Sequence, residues 1–148
     1  MSVSSDSEEL LACLNARGVR AVVVGAHAVA FHAKPRFTKD LDVLVEPTAQ
    51  NARRVVAALV DFGVADLGVG EADLAVPDRI VQIGMPPNRI DLITSITAVP
   101  FEQAWAGKVA GRFGMVDVFY LGKADLIRNK EAVGHPQDLG DLDWLRRS

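Results

Sequence analysis

Asp40 and Asp42 are the residues of this chain whose type and spacing point most directly to chemistry. They flank Leu41 and open an apolar run, Leu41-Asp42-Val43-Leu44-Val45, with the length and composition of a buried strand. Alternate residues of a strand face one side. Asp40 and Asp42 would therefore point together, while Leu41, Val43 and Val45 point the other way into packing. Two adjacent carboxylates repel unless a cation or a proton joins them. A divalent ion is the simplest solution, since Mg²⁺ takes oxygen ligands, typically one or two carboxylates plus substrate phosphates. The plain alternative is a solvated turn with no chemistry.

A third carboxylate lies further along. Asp91 interrupts an apolar strand, with Ile90 and Leu92 around it. A carboxylate there is costly unless it is paired or metal-bound. It is either the third member of an acidic set or the partner of a cation such as Arg89.

The elements that would position these groups can be read on either side. Ser5 to Glu8 has capping-box spacing; Leu10, Leu11 and Leu14 form one helical face, and Gly18 stops it. Val19 to Val24 is a β-branched run that reads as a strand, ending at Gly25. A short helix, Ala26 to Phe31, follows and is closed by Pro35. Glycine at such a junction lets the chain turn sharply and lets a ligand approach, and the free N–H groups of a helix start suit phosphate oxygens. A short helix and a turn would return the chain as a neighbouring strand, with the acidic pair near the mouth of the Gly25 turn. Lys34, Arg36 and Lys39 crowd the approach. They are either a solvated loop or a grip on a triphosphate, for which the forked donors of Arg36 are best suited. His27 and His32 read as packing or surface residues and lack the partners of a zinc site.

Downstream, Thr48 caps a helix whose buried stripe is Ala52, Val55, Val56, Leu59 and Val60, with Gly63 at its end. Residues 66–77 are irregular apart from one turn at Glu71 to Leu74. Ile80 to Ile83, a Pro86-Pro87-Asn88 turn and Arg89 to Ile93 form an antiparallel pair. Phe101 to Ala106 is a short helix with Trp105 as packing anchor. Lys108 to Arg112 and Met115 to Tyr120 form a hairpin around Gly114. Helices follow at Ala124 to Ala132 and Asp138 to Arg146, and a Lys130–Asp138 pair would tie them together; a cation near a nucleotide is the alternative role for Lys130.

With 148 residues, the chain is sized for a single α/β (α+β) domain over 1–148, a mixed sheet flanked by helices. A net charge of −3 supplies no strong basic field, which argues against a general nucleic-acid binder. The single cysteine, Cys13, allows no internal disulfide and reads as a small hydrophobe in the first helix. No stretch has the apolar length of a membrane span. The polar, acidic N-terminus is unlike a signal peptide, so a cytoplasmic location is the default expectation.

Val-Val-Gly25-Ala26-His27-Ala28, followed by Pro35-Arg36-Phe37-Thr38-Lys39-Asp40-Leu41-Asp42, resembles the nucleotidyltransferase superfamily of the DNA polymerase β-like fold. It is most similar to small bacterial minimal and AbiEii-type toxin members. The resemblance continues through Pro87-Asn88-Arg89-Ile90-Asp91-Leu92 and over Leu121 to Asp141. It implies an enzyme that uses two Mg²⁺ or Mn²⁺ ions to transfer a nucleoside monophosphate from an NTP to an acceptor hydroxyl, on protein, RNA or a small molecule. Asp40 and Asp42 would bind both ions and Asp91 the one that activates the attacking hydroxyl. Gly25, Ala26, Arg36, Thr38 and Lys39 would bind the nucleotide. A toxin–antitoxin or phage-defence setting, with an antitoxin-like partner or a homodimer, is implied too. The family carries Gly-Ser or Gly-Gly where this chain has Gly25-Ala26, so a phosphate-binding hydroxyl is missing and Ala26 offers only its backbone N–H. The alternative from another class is a nucleotide-binding or protein-interaction domain of the same fold without turnover. A glycosyltransferase would need a larger region before the motif, and a haloacid-dehalogenase-type phosphatase a different residue at Leu44 and a later acidic loop.

Overall fold

The computed structural model describes residues 5–33, 40–85 and 88–148. Its centre is β2 (Leu41–Val45), in which Leu41, Val43, Leu44 and Val45 are fully buried. Each such side chain contributes roughly 1.5–3 kcal/mol relative to exposure. A strand enclosed on both faces reads as a continuous apolar run, and Asp42 is the one polar interruption.

Around β2 lie β1 (Ala21–Val24), β3 (Ile80–Ile83), β4 (Ile90–Ile93), β5 (Val109–Phe113) and β6 (Val116–Tyr120). The sheet order is β3-β4-β2-β1-β6-β5. β2 runs antiparallel to β1 and parallel to β4; β1 is parallel to β6, and the two edge strands close antiparallel hairpins. The protein is thus a mixed α/β fold, with the sheet flanked by helices as expected.

The helices are α1 (Ser5–Ala16), α2 (Gly25–His32), α3 (Ala49–Phe62), α4 (Glu71–Leu74), α5 (Phe101–Ala106), α6 (Lys123–Val133) and α7 (Pro136–Arg147). α1 packs on α3 and α3 on α4; α6 packs on α7, and both touch α2. Local chemistry accounts for their ends. Thr48 Oγ1 accepts the Asn51 N–H at 3.3 Å, and Gly63 takes φ of 95°, the left-handed conformation that ends α3. α7 begins at Pro136, two residues before the expected start, because proline suits the first helical position and Asp138 accepts the His135 N–H at 3.1 Å.

One expected core residue is misplaced. Val60 is 53 % exposed, because α3 turns Ala52, Val55 and Leu59 inward and Val60 falls beside that stripe. Asn51, by contrast, is buried: its side chain accepts from Arg20 N and donates to the carbonyls of Arg20 and Glu46, stitching the start of β1 to the end of β2. Cys13 is a free, partly buried thiol packed against the core. Trp105 stacks on Phe101 and meets Phe119 edge-on, with the Lys108 ammonium 4.0 Å from its ring centre. No helix among the described residues is long and apolar enough to cross a membrane.

Candidate functional site

The sheet register sets Asp42 beside Asp91, with Asp40 at the entrance to the strand that carries Asp42. β1 returns antiparallel to β2 and sets Val24 opposite Asp42. Gly25, the next residue, therefore sits over the Asp42 side chain. It has φ of 67°, and a Cβ on it would lie 2.5 Å from Asp42 Oδ2. Only glycine fits both constraints. On the other side of β2, the parallel pairing with β4 sets Asp42 directly beside Asp91. Neighbouring strands lie about 4.8 Å apart, so these carboxylates share one face at close range. Asp40, at the entrance to β2, accepts the Arg89 N–H on Oδ1 at 3.0 Å, while Leu41 N–H donates to the Arg89 carbonyl at 3.0 Å. The three acids are thereby held by backbone hydrogen bonding on two adjacent strands.

Arg89 sits among them. Its Nε donates to Asp91 Oδ1 at 2.9 Å and its terminal nitrogen to Oδ2 at 3.2 Å. Asp91 is 8 % exposed, so this fork satisfies a buried charge. The pairing with Arg89 expected as the alternative role of Asp91 is present, and the register sets the same residue beside Asp42. Asp42 bears the remaining strain. Burial, then the charge of Asp91, and also that of Asp40, push its carboxyl up to about 6, against the pull of Arg89 and Lys130.

Lys130 brings the far end of the chain to the site. It is buried on α6, 2.9 Å from Asp138 and 3.4 Å from Asp141 on α7. The expected Lys130–Asp138 pair is present, and Asp141 is the member that sequence reasoning missed. Burial would raise the Asp138 carboxyl, but the hydrogen bond and charge of Lys130 and the His135 N–H hold it below its ordinary value. Asp125, also buried, accepts from Gln103 at 2.7 Å and so ties α5 to α6. An acidic residue on the inward face of α6 was the available signal for this contact.

Val24, the residue capping α2, has no side-chain acceptor and so gives the first-turn N–H groups no cap hydrogen bond. His27, two residues on, is buried, packs edge-on against Phe113 and leaves Nε2 without a partner among the described residues; burial lowers its pKa. His32 Nε2 lies 2.6 Å from the Leu121 carbonyl. Arg36, Thr38 and Lys39, with Lys34 and Pro35, lie outside the described residues, as do Pro86 and Pro87 of the expected turn. A separate groove of about 480 Å³, bordered by Leu11, Leu14, Val23, Val118 and Phe119, contains none of the three carboxylates.

Among the described residues, no three His, Cys, Asp or Glu side chains are gathered tightly enough to hold an ion as they stand; Asp91 is committed to Arg89. The donor set nevertheless suits a hard divalent cation. It consists of carboxylate oxygens only, the ligand type such an ion takes. The chain matches no protein-family model and no curated protein.

Proposed function

We propose that this protein is a metal-dependent nucleotidyltransferase that works in the cytoplasm, moving a nucleoside monophosphate from an NTP to an acceptor hydroxyl. The observation that supports this best is the register of β2 and β4, which sets Asp42 beside Asp91 while Gly25 closes over Asp42. In this reading Asp40 and Asp42 would bind the metal ions, and Asp91 would contribute to the one that activates the attacking hydroxyl. Bound Mg²⁺ or Mn²⁺ supplies charge neutralisation and hydroxyl activation. The acceptor hydroxyl would release its proton to solvent and its oxygen would bond to the α-phosphorus as the bond to the β-phosphate oxygen breaks, with pyrophosphate leaving. The chain's own residues orient the reactants. Gly25 leaves room for the Asp42 carboxylate beneath it, and the N–H groups at the start of α2 would donate to phosphate oxygens. Arg36, Thr38 and Lys39 are the residues that the sequence resemblance would assign to binding the triphosphate.

A second reading is favoured by two features. Ala26 has no hydroxyl for a phosphate, and Arg89 occupies both oxygens of Asp91. They suit a domain that binds nucleotide, or a partner protein, without turnover.

The test is calorimetric titration of each NTP with Mg²⁺ or Mn²⁺ into the wild type and into Asp40→Asn/Asp42→Asn. Metal-dependent binding that the double substitution abolishes is expected, and labelled-NTP transfer in a lysate then separates the enzyme from the silent binder. Absence of NTP binding with either metal would refute both nucleotide readings.

A further inference from the structure

Arg89 is built to release Asp91 without disturbing the strand. Its backbone is fixed on both sides by Asp40 and Leu41. Its side chain is 30 % exposed, whereas that of Asp91 is 11 % exposed. The guanidinium can therefore swing to solvent while the carboxylate stays where it is. As the pair stands, the fork covers both Asp91 oxygens. A divalent ion ligated by Asp91 would meet a positive charge on the same two atoms, so guanidinium and ion exclude one another there. Asp40 is engaged differently, by the neutral backbone N–H of Arg89, which places no positive charge on its oxygens. The acidic set is thus divided into a pair, Asp40 and Asp42, and a third member held by its own counter-cation.

We propose that Arg89 gates divalent-ion binding at Asp91: it neutralises this carboxylate in the resting protein, and an ion enters there only when the guanidinium leaves. This rests on the metal-site reading above and deepens it by setting an order. Asp40 and Asp42 take the first ion, and Asp91 contributes last. Arg89 acts through Asp91 and is a positioning residue.

The test is Mn²⁺ alone, titrated into the full chain without nucleotide and followed by electron paramagnetic resonance, which counts bound ions. Wild type is expected to hold one ion per chain, with a second bound at least about tenfold more weakly, the scale of a forked, partly buried ion pair. Arg89→Gln is expected to bind the second ion about tenfold more tightly than wild type. Arg89→Lys, which keeps the charge and loses the fork, is expected to fall between them, and it carries the test if the glutamine variant does not fold. Two ions of equal affinity in wild type, or an unchanged second affinity in both variants, would overturn the gate. In that event a first ion that Asp42→Asn abolishes would leave the metal site itself standing. Absence of any bound Mn²⁺ in all of these proteins, with and without NTP, would remove the metal site and the gate together.

Discussion

Replacing Asp42 by asparagine is expected to stabilise the metal-free protein at neutral pH while removing its ability to bind metal and nucleotide. Burial and the neighbouring charges of Asp91 and Asp40 raise the Asp42 carboxyl from its usual value to about 6. That displacement corresponds to ~3 kcal/mol of unfavourable charging free energy. Partial solvent access reduces it, so about 1.5–3 kcal/mol is the working figure. The sign follows from linkage. Between about pH 4 and pH 6 the native protein binds more protons at this site than the unfolded chain, so its contribution falls as pH rises. Below that window Asp42 is neutral in both states and asparagine resembles it. Above the window the penalty is complete. The stability difference between Asp42→Asn and wild type should therefore be near zero at about pH 4 and reach about 1.5–3 kcal/mol by about pH 8. Asp138, whose depressed pKa works in the opposite direction, is common to both proteins and cancels. For a chain of this size the gain appears as a rise of roughly 3–10 °C in Tm. Urea unfolding in EDTA across this range measures it, and added Mn²⁺ should stabilise wild type alone. Stability–pH curves that run parallel for the two proteins would refute the crowded-carboxylate account of the site.

Three further substitutions probe its supports. Gly25→Ala places a Cβ against Asp42 in a left-handed backbone position, and should cost about 2–3 kcal/mol in denaturant unfolding and weaken NTP binding by calorimetry. Lys130→Met leaves Asp138 and Asp141 buried without their shared cation, and should cost about 3–5 kcal/mol near neutral pH, shrinking below about pH 4 as Asp138 protonates. Ala98 is exposed at φ of 67° on the approach to α5, so Ala98→Gly should stabilise by about 0.5–1 kcal/mol in the same assay with NTP binding unchanged.

Much of the fold was legible in local patterns. The run from Leu41 to Val45 is apolar because β2 is central, and the Thr48 and Gly63 signals bound α3 because caps act on the nearest turn. The antiparallel return of Arg89 to Ile93 on Ile80 to Ile83 followed from two short apolar runs around a turn. Legibility failed where neighbours decide. Val60 has the spacing of a buried helical position, yet nothing packs over it closely enough to bury it. Asp141 carries no local mark that separates it from other acids on α7; it is special because α6 brings Lys130 to it.

The amino-acid sequence by itself determined the pieces of the candidate site: a strand opening with Asp40 and Asp42, a glycine turn ending β1, and one carboxylate inside an apolar strand. Helical and strand periodicities are local properties, readable over a few residues. Only the tertiary structure decided that β4 lies parallel beside β2, so that Asp91 stands next to Asp42, and that the Arg89 fork closes on it. Strand partners are chosen by long-range packing, and every apolar strand offers the same backbone donors and acceptors to any other. The assembly of three carboxylates with their counter-cations thus belongs to the fold as a whole.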